Sequence, residues 1–328
     1  MIFLDPFSPH ILKAKETHVA TLFPLVKDRV SALDDANPLK AFLNDLRIKR
    51  ILSNLPHYLQ IDHLLLLITV GISDLEWRAY IRIKRKRNLT VAETTIYKRL
   101  KPIENDINAI FKYKGGFGSK KTKYSTYNLA EALNVQTCVY CNRMYTKTVI
   151  KPHKVTRPEF DHWYPQESFP LFALSFYNLI PSCHTCNSSV KGSIQMSISN
   201  HIHPYIPQDV DMKFSYWIKD FNTYKFKIKR PAGSKEDNTI KTFKLEEIYE
   251  THQDEIHDLV RLRKLYSVSY LQKLKTLLST TDQKVSMEEL YRLAFGTHLS
   301  EKDFQKRPLS KMKYDILKEL EMLSDFDT

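Results

Sequence analysis

"FDHWYPQESFPLFALSFYNLIPSCHTCN", residues 160–187, decides how this chain is read. It sets an Asp-His pair (Asp161-His162), a polar Asn178 inside an apolar run, and a C-x-x-C-N run (Cys183, Cys186, Asn187) in one short window. Each has a bland reading alone. A lone Asp-His dipeptide carries little weight, and Asp62-His63 is a second copy to which the surrounding apolar helix assigns no role.

Outward from this window, the chain has only four cysteines, Cys138, Cys141, Cys183 and Cys186, in two C-x2-C pairs 41 residues apart. Chance placement at this spacing is on the order of one in ten thousand. The start, "MIFLDPFSPH", lacks the cationic and apolar regions of a signal peptide. A disulfide pair is therefore a poor explanation, and a redox pair or coincidence are the weaker alternatives. Four thiolates suit Zn²⁺, and a closed four-thiolate site leaves no position for water, so the zinc is expected to be structural.

Composition narrows the rest. The 328 residues are 42% apolar, enough for a sizeable core. Seven glycines and the absence of G-x-x-x-x-G-K-[ST] or G-x-G-x-x-G disfavour phosphate-loop nucleotide binders. The most apolar stretch, 64–72, is too short to span a bilayer. No membrane association and a cytoplasmic location are expected. The net charge of +13 is uneven: residues 77–123 hold 14 Lys/Arg against 3 Asp/Glu, leaving only +2 elsewhere. Such a block points to a polyanion. Its two clusters are Arg82, Lys84, Arg85, Lys86 and Arg87, then Lys112, Lys114, Lys120, Lys121 and Lys123.

The predicted layout is α+β and mainly helical. Helices are expected over 11–30 and 38–55, interrupted at Pro24, Pro38 and Pro56, and over 74–87 with Asp74 as cap. Residues 112–125 read as a basic loop. Alternation over 212–230 predicts a hairpin turning at 220–222, its aromatics expected in the core rather than against bases. One amphipathic helix over 244–279 and a last one over 311–323 complete the chain. The domains expected are 1–130, helical with the basic segment; 131–205, zinc-bearing; and 206–328, hairpin plus helices.

The motif order Cys138-Val-Tyr-Cys141-Asn142, Asp161-His162-Trp-Tyr-Pro165, Asn178-Leu179, Cys183-His-Thr-Cys186-Asn187 and Lys191 resembles the zinc-braced group of HNH nucleases, over residues 138–192. Two departures are Asn187 where the family often has His, and a spacing to Lys191 one residue longer than the usual pattern. The resemblance implies a central ββα-metal finger, with Asp-His on a hairpin and the last ligand on a helix. It implies His162 as general base, Asp161 and Asn187 as ligands to Mg²⁺ or Mn²⁺, and Asn178 as the residue that orients the His162 loop. The chemistry agrees: His takes a proton near neutral pH, and two hard oxygen donors suit those ions. The broader layout resembles HNH nucleases of bacterial anti-phage systems of the Septu type, which work beside an ATPase. The expected function is thus a metal-dependent endonuclease on nucleic acid, DNA first. The alternatives are an RNA-cleaving effector and a non-catalytic zinc module that binds nucleic acid. The sequence does not address oligomeric state.

Overall fold

The computed structural model describes residues 1–119, 121–207, 209–221, 223–265, 273, 276–277 and 286–323. Among the described residues the chain is mainly helical with two small antiparallel sheets. Seven helices come first: α1 Pro9–Ser31, α2 Pro38–Phe42, α3 Asp45–Ser53, α4 Pro56–Thr69, α5 Asp74–Ile83, α6 Val91–Ile110 and α7 Thr126–Leu133. Strands β1 Glu159–His162 and β2 Leu179–Ser182 form one sheet; β3 Lys213–Asp220 and β4 Thr223–Lys229 form the other. Then come α8 Lys235–Thr242, α9 Leu245–Tyr249, α10 Gln253–Leu265, α11 Met287–Phe295 and α12 Ser310–Glu319.

Prolines start helices here more than they stop them. Pro9, Pro38 and Pro56 each open one, where a missing N–H costs nothing. Pro24 does not interrupt α1, contrary to the sequence expectation. Its flank buries Leu22, Val26 and Val30, and that packing outweighs one lost backbone hydrogen bond. The cap of α5 is Ser73, not Asp74: Ser73 Oγ accepts from the Glu76 amide, and Glu76 reaches back to the Ser73 amide.

The expected 212–230 hairpin forms, with Phe214, Tyr224, Phe226 and Ile228 buried. Ile218, expected on the same face, is exposed, beside a register shift between Ile218 and Asp220. The long helix expected over 244–279 is broken. α9 ends at Tyr249, whose hydroxyl donates to the Cys141 carbonyl, and a tight turn at Glu250–His252 leads into α10. Leu271, Leu274 and Leu278 of that expected helix, and Asn222 of the turn, lie outside the described residues.

One apolar core runs through all three expected segments, from Ile2 to Leu323. Ile2 N–H donates to the Val139 carbonyl at 2.8 Å, so the chain's start lies on the first cysteine pair. Asn142, in the left-handed region at φ 49°, donates to Phe304 O at 2.9 Å and accepts from the Lys311 amide at 3.2 Å. The C-terminal helices are thereby fastened to the same pair.

Several histidines are sealed in this core, His18 and His63 among them. His18 of α1 and His63 of α4 are buried, and desolvation holds both down at about 4. Each is neutral in the fold and free to charge when unfolded. Stability should therefore be full above pH 6.5 and fall as pH drops towards 4, by about 3 kcal/mol per histidine. Urea melts at pH 7 and pH 4.5 check this; variants with Leu at either position should show a shallower fall.

Candidate functional site

Strand β1 pairs antiparallel with β2, setting Asp161 opposite Ile180 and His162 opposite Leu179. Side chains alternate along a strand, so Glu159 and Asp161 share one face and His162 points to the other. After β2 the chain passes Cys183 and Cys186 into a wide helical turn, Thr185–Lys191, closed by Gly192 N–H to Asn187 O at 3.0 Å.

On the first face Asp161 is buried. Its Oδ2 accepts from Tyr140 Oη at 2.5 Å, and its Oδ1 from Lys191 Nζ at 2.8 Å. Lys191, fully buried, also donates to the His162 carbonyl at 2.8 Å. The ammonium thus ties the helical turn to both members of the Asp-His pair. Glu159 lies nearer solvent. It accepts from Asn187 Nδ2 and His184 Nδ1, both at 2.8 Å, and from Ser188 Oγ at 3.3 Å. Because Asn187 donates through nitrogen, its Oδ1 is turned away from Glu159.

On the second face His162 Nε2 lies 3.0 Å from the Ala173 carbonyl. A carbonyl only accepts, so in the neutral ring Nε2 carries the hydrogen and Nδ1 keeps its lone pair. Desolvation holds His162 down at about 4, with the Lys114 charge adding to the shift, so the ring is neutral at pH 7. The Tyr113 ring meets it edge-on at 4.6 Å. The turn that presents Ala173 is braced by Asn178, which is fully buried. Asn178 Oδ1 accepts from the Tyr164 amide at 2.7 Å, and its Nδ2 donates to Tyr164 O at 3.2 Å and Phe172 O at 3.0 Å.

The four cysteines are all buried, and their sulfurs lie within 4.8 Å of one another. Tetrahedral zinc with Zn–S near 2.3 Å needs sulfurs about 3.8 Å apart, which lies inside that limit. Burial pushes the Cys138 thiol well up, so four thiolates here require a cation. The arrangement fits a structural zinc.

Of the oxygen donors expected for a second cation, both Asp161 oxygens already have partners, one of them the Lys191 ammonium. A carboxylate has about four acceptor positions; Tyr140 and Lys191 use two of those on Asp161, and the Asn187 oxygen is not taken by Glu159.

The basic clusters divide. Lys84 is a correction: it is turned inward, donating to Glu104 Oε1 at 2.6 Å and the Glu167 carbonyl at 2.7 Å, because buried Glu104 needs a counter-charge. Arg85 pairs with Glu167, and Lys86 with Glu93 at 2.6 Å. Arg82 and Arg87 are exposed without an ion pair among the described residues. Lys112, Lys114, Lys121 and Lys123 are exposed and likewise unpaired, and they flank the loop whose Tyr113 touches His162. Lys120 lies outside the described residues.

Sequence reading passed over Glu159, Tyr140 and Tyr113. Strand alternation two residues before Asp161 was a usable signal for Glu159. The two tyrosines reach the site only through the tertiary fold. Of the remaining histidines, His201 Nε2 bonds Thr242 Oγ1 at 3.1 Å and His203 is buried against Trp163.

No protein-family profile matches the chain, and no solved structure matches it. A 60-residue stretch is 37% identical to "Protein ea31" of Escherichia phage lambda, covering 18% of this chain and 20% of that protein. The chain thus spans about a fifth of the relative's length. Among the described residues no single helix is long and apolar enough to cross a membrane.

Proposed function

We propose that this chain is a metal-dependent endonuclease of the HNH type, with DNA as its expected substrate. The observation that carries the reading is the His162 geometry. Its Nε2–H is held by a backbone carbonyl, its Nδ1 is left as a base, and unpaired lysines flank the adjoining loop. Two strands followed by a helical turn, carrying Asp161, His162 and Asn187 in that order, support the same reading.

In this mechanism Nδ1 of His162 takes a proton from water as the water oxygen bonds to phosphorus. The bond from phosphorus to the leaving oxygen then breaks, and that oxygen takes a proton from solvent. Lys191 fixes Asp161 and the His162 backbone, and Asn178 holds the 164–172 loop. Asp161 and Asn187 would hold Mg²⁺ or Mn²⁺, which supplies Lewis-acid stabilisation of charge on the phosphate. The lysine loop grips the substrate backbone.

Incubation of wild type with plasmid, linear duplex, single-stranded DNA and RNA, in Mg²⁺, Mn²⁺ or EDTA, tests the proposal. Metal-dependent cleavage of duplex DNA is expected. Cleavage of RNA alone moves the substrate class, and binding without cleavage in every condition selects the non-catalytic zinc module. The setting in anti-phage defence beside an ATPase comes with the resemblance; co-purification from the native host tests it.

Charge placement gives a second expectation. Changing Lys112, Lys114, Lys121 and Lys123 together to Gln should flatten the slope of log K against log salt by about 3 to 4, at roughly 0.9 per phosphate contact. The Arg85, Lys86 and Arg87 triple change should flatten it by about 1 or less, since Arg85 and Lys86 are already paired. Equal slopes for the two variants would place the grip elsewhere.

A further inference from the structure

The Ala173 carbonyl meets His162, and the carbonyl next to it meets a residue far away in sequence. His18 is fully buried in α1. Its Nε2 lies 2.8 Å from the Leu174 carbonyl, the next carbonyl along the chain from that of Ala173. Since that carbonyl only accepts, Nε2 of the neutral ring donates, and Nδ1 accepts from Tyr124 Oη at 3.2 Å. The ring also packs edge-on against Phe117 at 5.2 Å and Phe176 at 5.7 Å. His18 therefore touches both sides of the candidate site: the turn that presents the Ala173 carbonyl, and the basic loop that ends at Tyr124.

We propose that His18 is a positioning residue for His162, holding the 172–174 turn so that the Ala173 carbonyl receives His162 Nε2–H. The proposal rests on the nuclease reading above and adds that the helical region completes the site. A finger cut out at 131–205 would lack this support. The packing has a reason to be polar. Three consecutive carbonyls, Phe172, Ala173 and Leu174, accept from Asn178, His162 and His18 in turn. A buried carbonyl left without a donor costs free energy, so loss of one donor shifts the turn and the other two bonds with it. Displacements near 1 Å at a catalytic group cost rates up to about a hundredfold.

The test compares His18→Leu, which removes the donor, with His18→Gln, whose amide can replace Nε2. Readouts are kcat on supercoiled plasmid with Mn²⁺, duplex affinity in EDTA, zinc content, and ¹⁵N shifts of the His162 ring, assigned with His162→Ala. His18→Leu should lower kcat roughly tenfold to a hundredfold. Duplex affinity and zinc should be unchanged, and the single His162 tautomer should become a mixture. His18→Gln should recover most of the rate and the single tautomer. Wild-type kcat with one tautomer in His18→Leu overturns the proposal. So does parallel loss of zinc, affinity and rate in both variants, which would mark a purely structural role. Should His18→Leu fail to fold, Tyr124→Phe takes its place: a severalfold fall in kcat with a mixed tautomer supports the proposal, and no change in either overturns it. If His162→Ala cuts at wild-type rate, the nuclease reading itself fails. If that variant is inactive while His18→Leu is fully active with one tautomer, only the role of His18 fails.

Discussion

His162→Ala is expected to lose cleavage by roughly a hundred- to ten-thousand-fold, the usual contribution of a positioned general base. Duplex binding and zinc content should persist. The separation follows from the site's construction. Among the described residues His162 makes one side-chain hydrogen bond, to Ala173 O, and one ring contact, to Tyr113. The cysteine cluster and the unpaired lysines make no bond to the imidazole. Its neutral state also sets the pH trend. A ring held near 4 by burial is already a free base at neutral pH, so the rate should not fall from pH 8 to 6 through its titration. A fall of only a fewfold in a nuclease-free preparation of His162→Ala would remove the proposed mechanism. His162→Gln offers a stricter version: it can keep the bond to Ala173 O yet has no basic nitrogen, so it should be as inactive as the alanine variant.

What sequence could and could not supply follows from the range of the interactions. The cysteine spacing announced a cluster that the fold does assemble, because a metal site needs few residues and tolerates little variation in spacing. The alternating 214–228 stretch announced a hairpin, because Phe214, Tyr224, Phe226 and Ile228 do report their own burial, with Ile218 the exception at the register shift. Local chemistry misled where tertiary packing ruled. Pro24 sits inside a helix because one flank of α1 is buried. Lys84 looked like one more phosphate-binding cation until buried Glu104 supplied its partner. The site showed the same division. Asp161 and His162 were legible as a motif. Lys191 stood in the motif without its bond to Asp161, and the other partners, Tyr140, Tyr113 and Ala173, lie 11 to 49 residues away, brought in by the tertiary fold.

Removing the zinc should cost more than any other single change. Cys183→Ser is expected to leave protein that is aggregated or partly unfolded, and elemental analysis of the wild type should find one tightly held zinc per chain. Structural zinc sites typically contribute on the order of 10–16 kcal/mol, comparable to the entire stability of an ordinary domain. The topology makes the loss spread. The first cysteine pair receives the chain's start through Val139 O, α9 through Cys141 O, and the C-terminal helices through Asn142. The second pair sits between β2 and the helical turn that carries Asn187 and Lys191. Without a cation, four buried sulfurs cannot all ionise, and the two pairs lose the bond that joins them. Catalytic metal and structural metal should then separate in time. Brief EDTA treatment should stop cleavage, and added Mg²⁺ should restore it. Prolonged extraction that removes zinc should stop cleavage irreversibly under Mg²⁺ and lower the melting temperature. Zinc-free protein that melts with the native protein and cuts on addition of Mg²⁺ alone would show that the four cysteines do not brace the site.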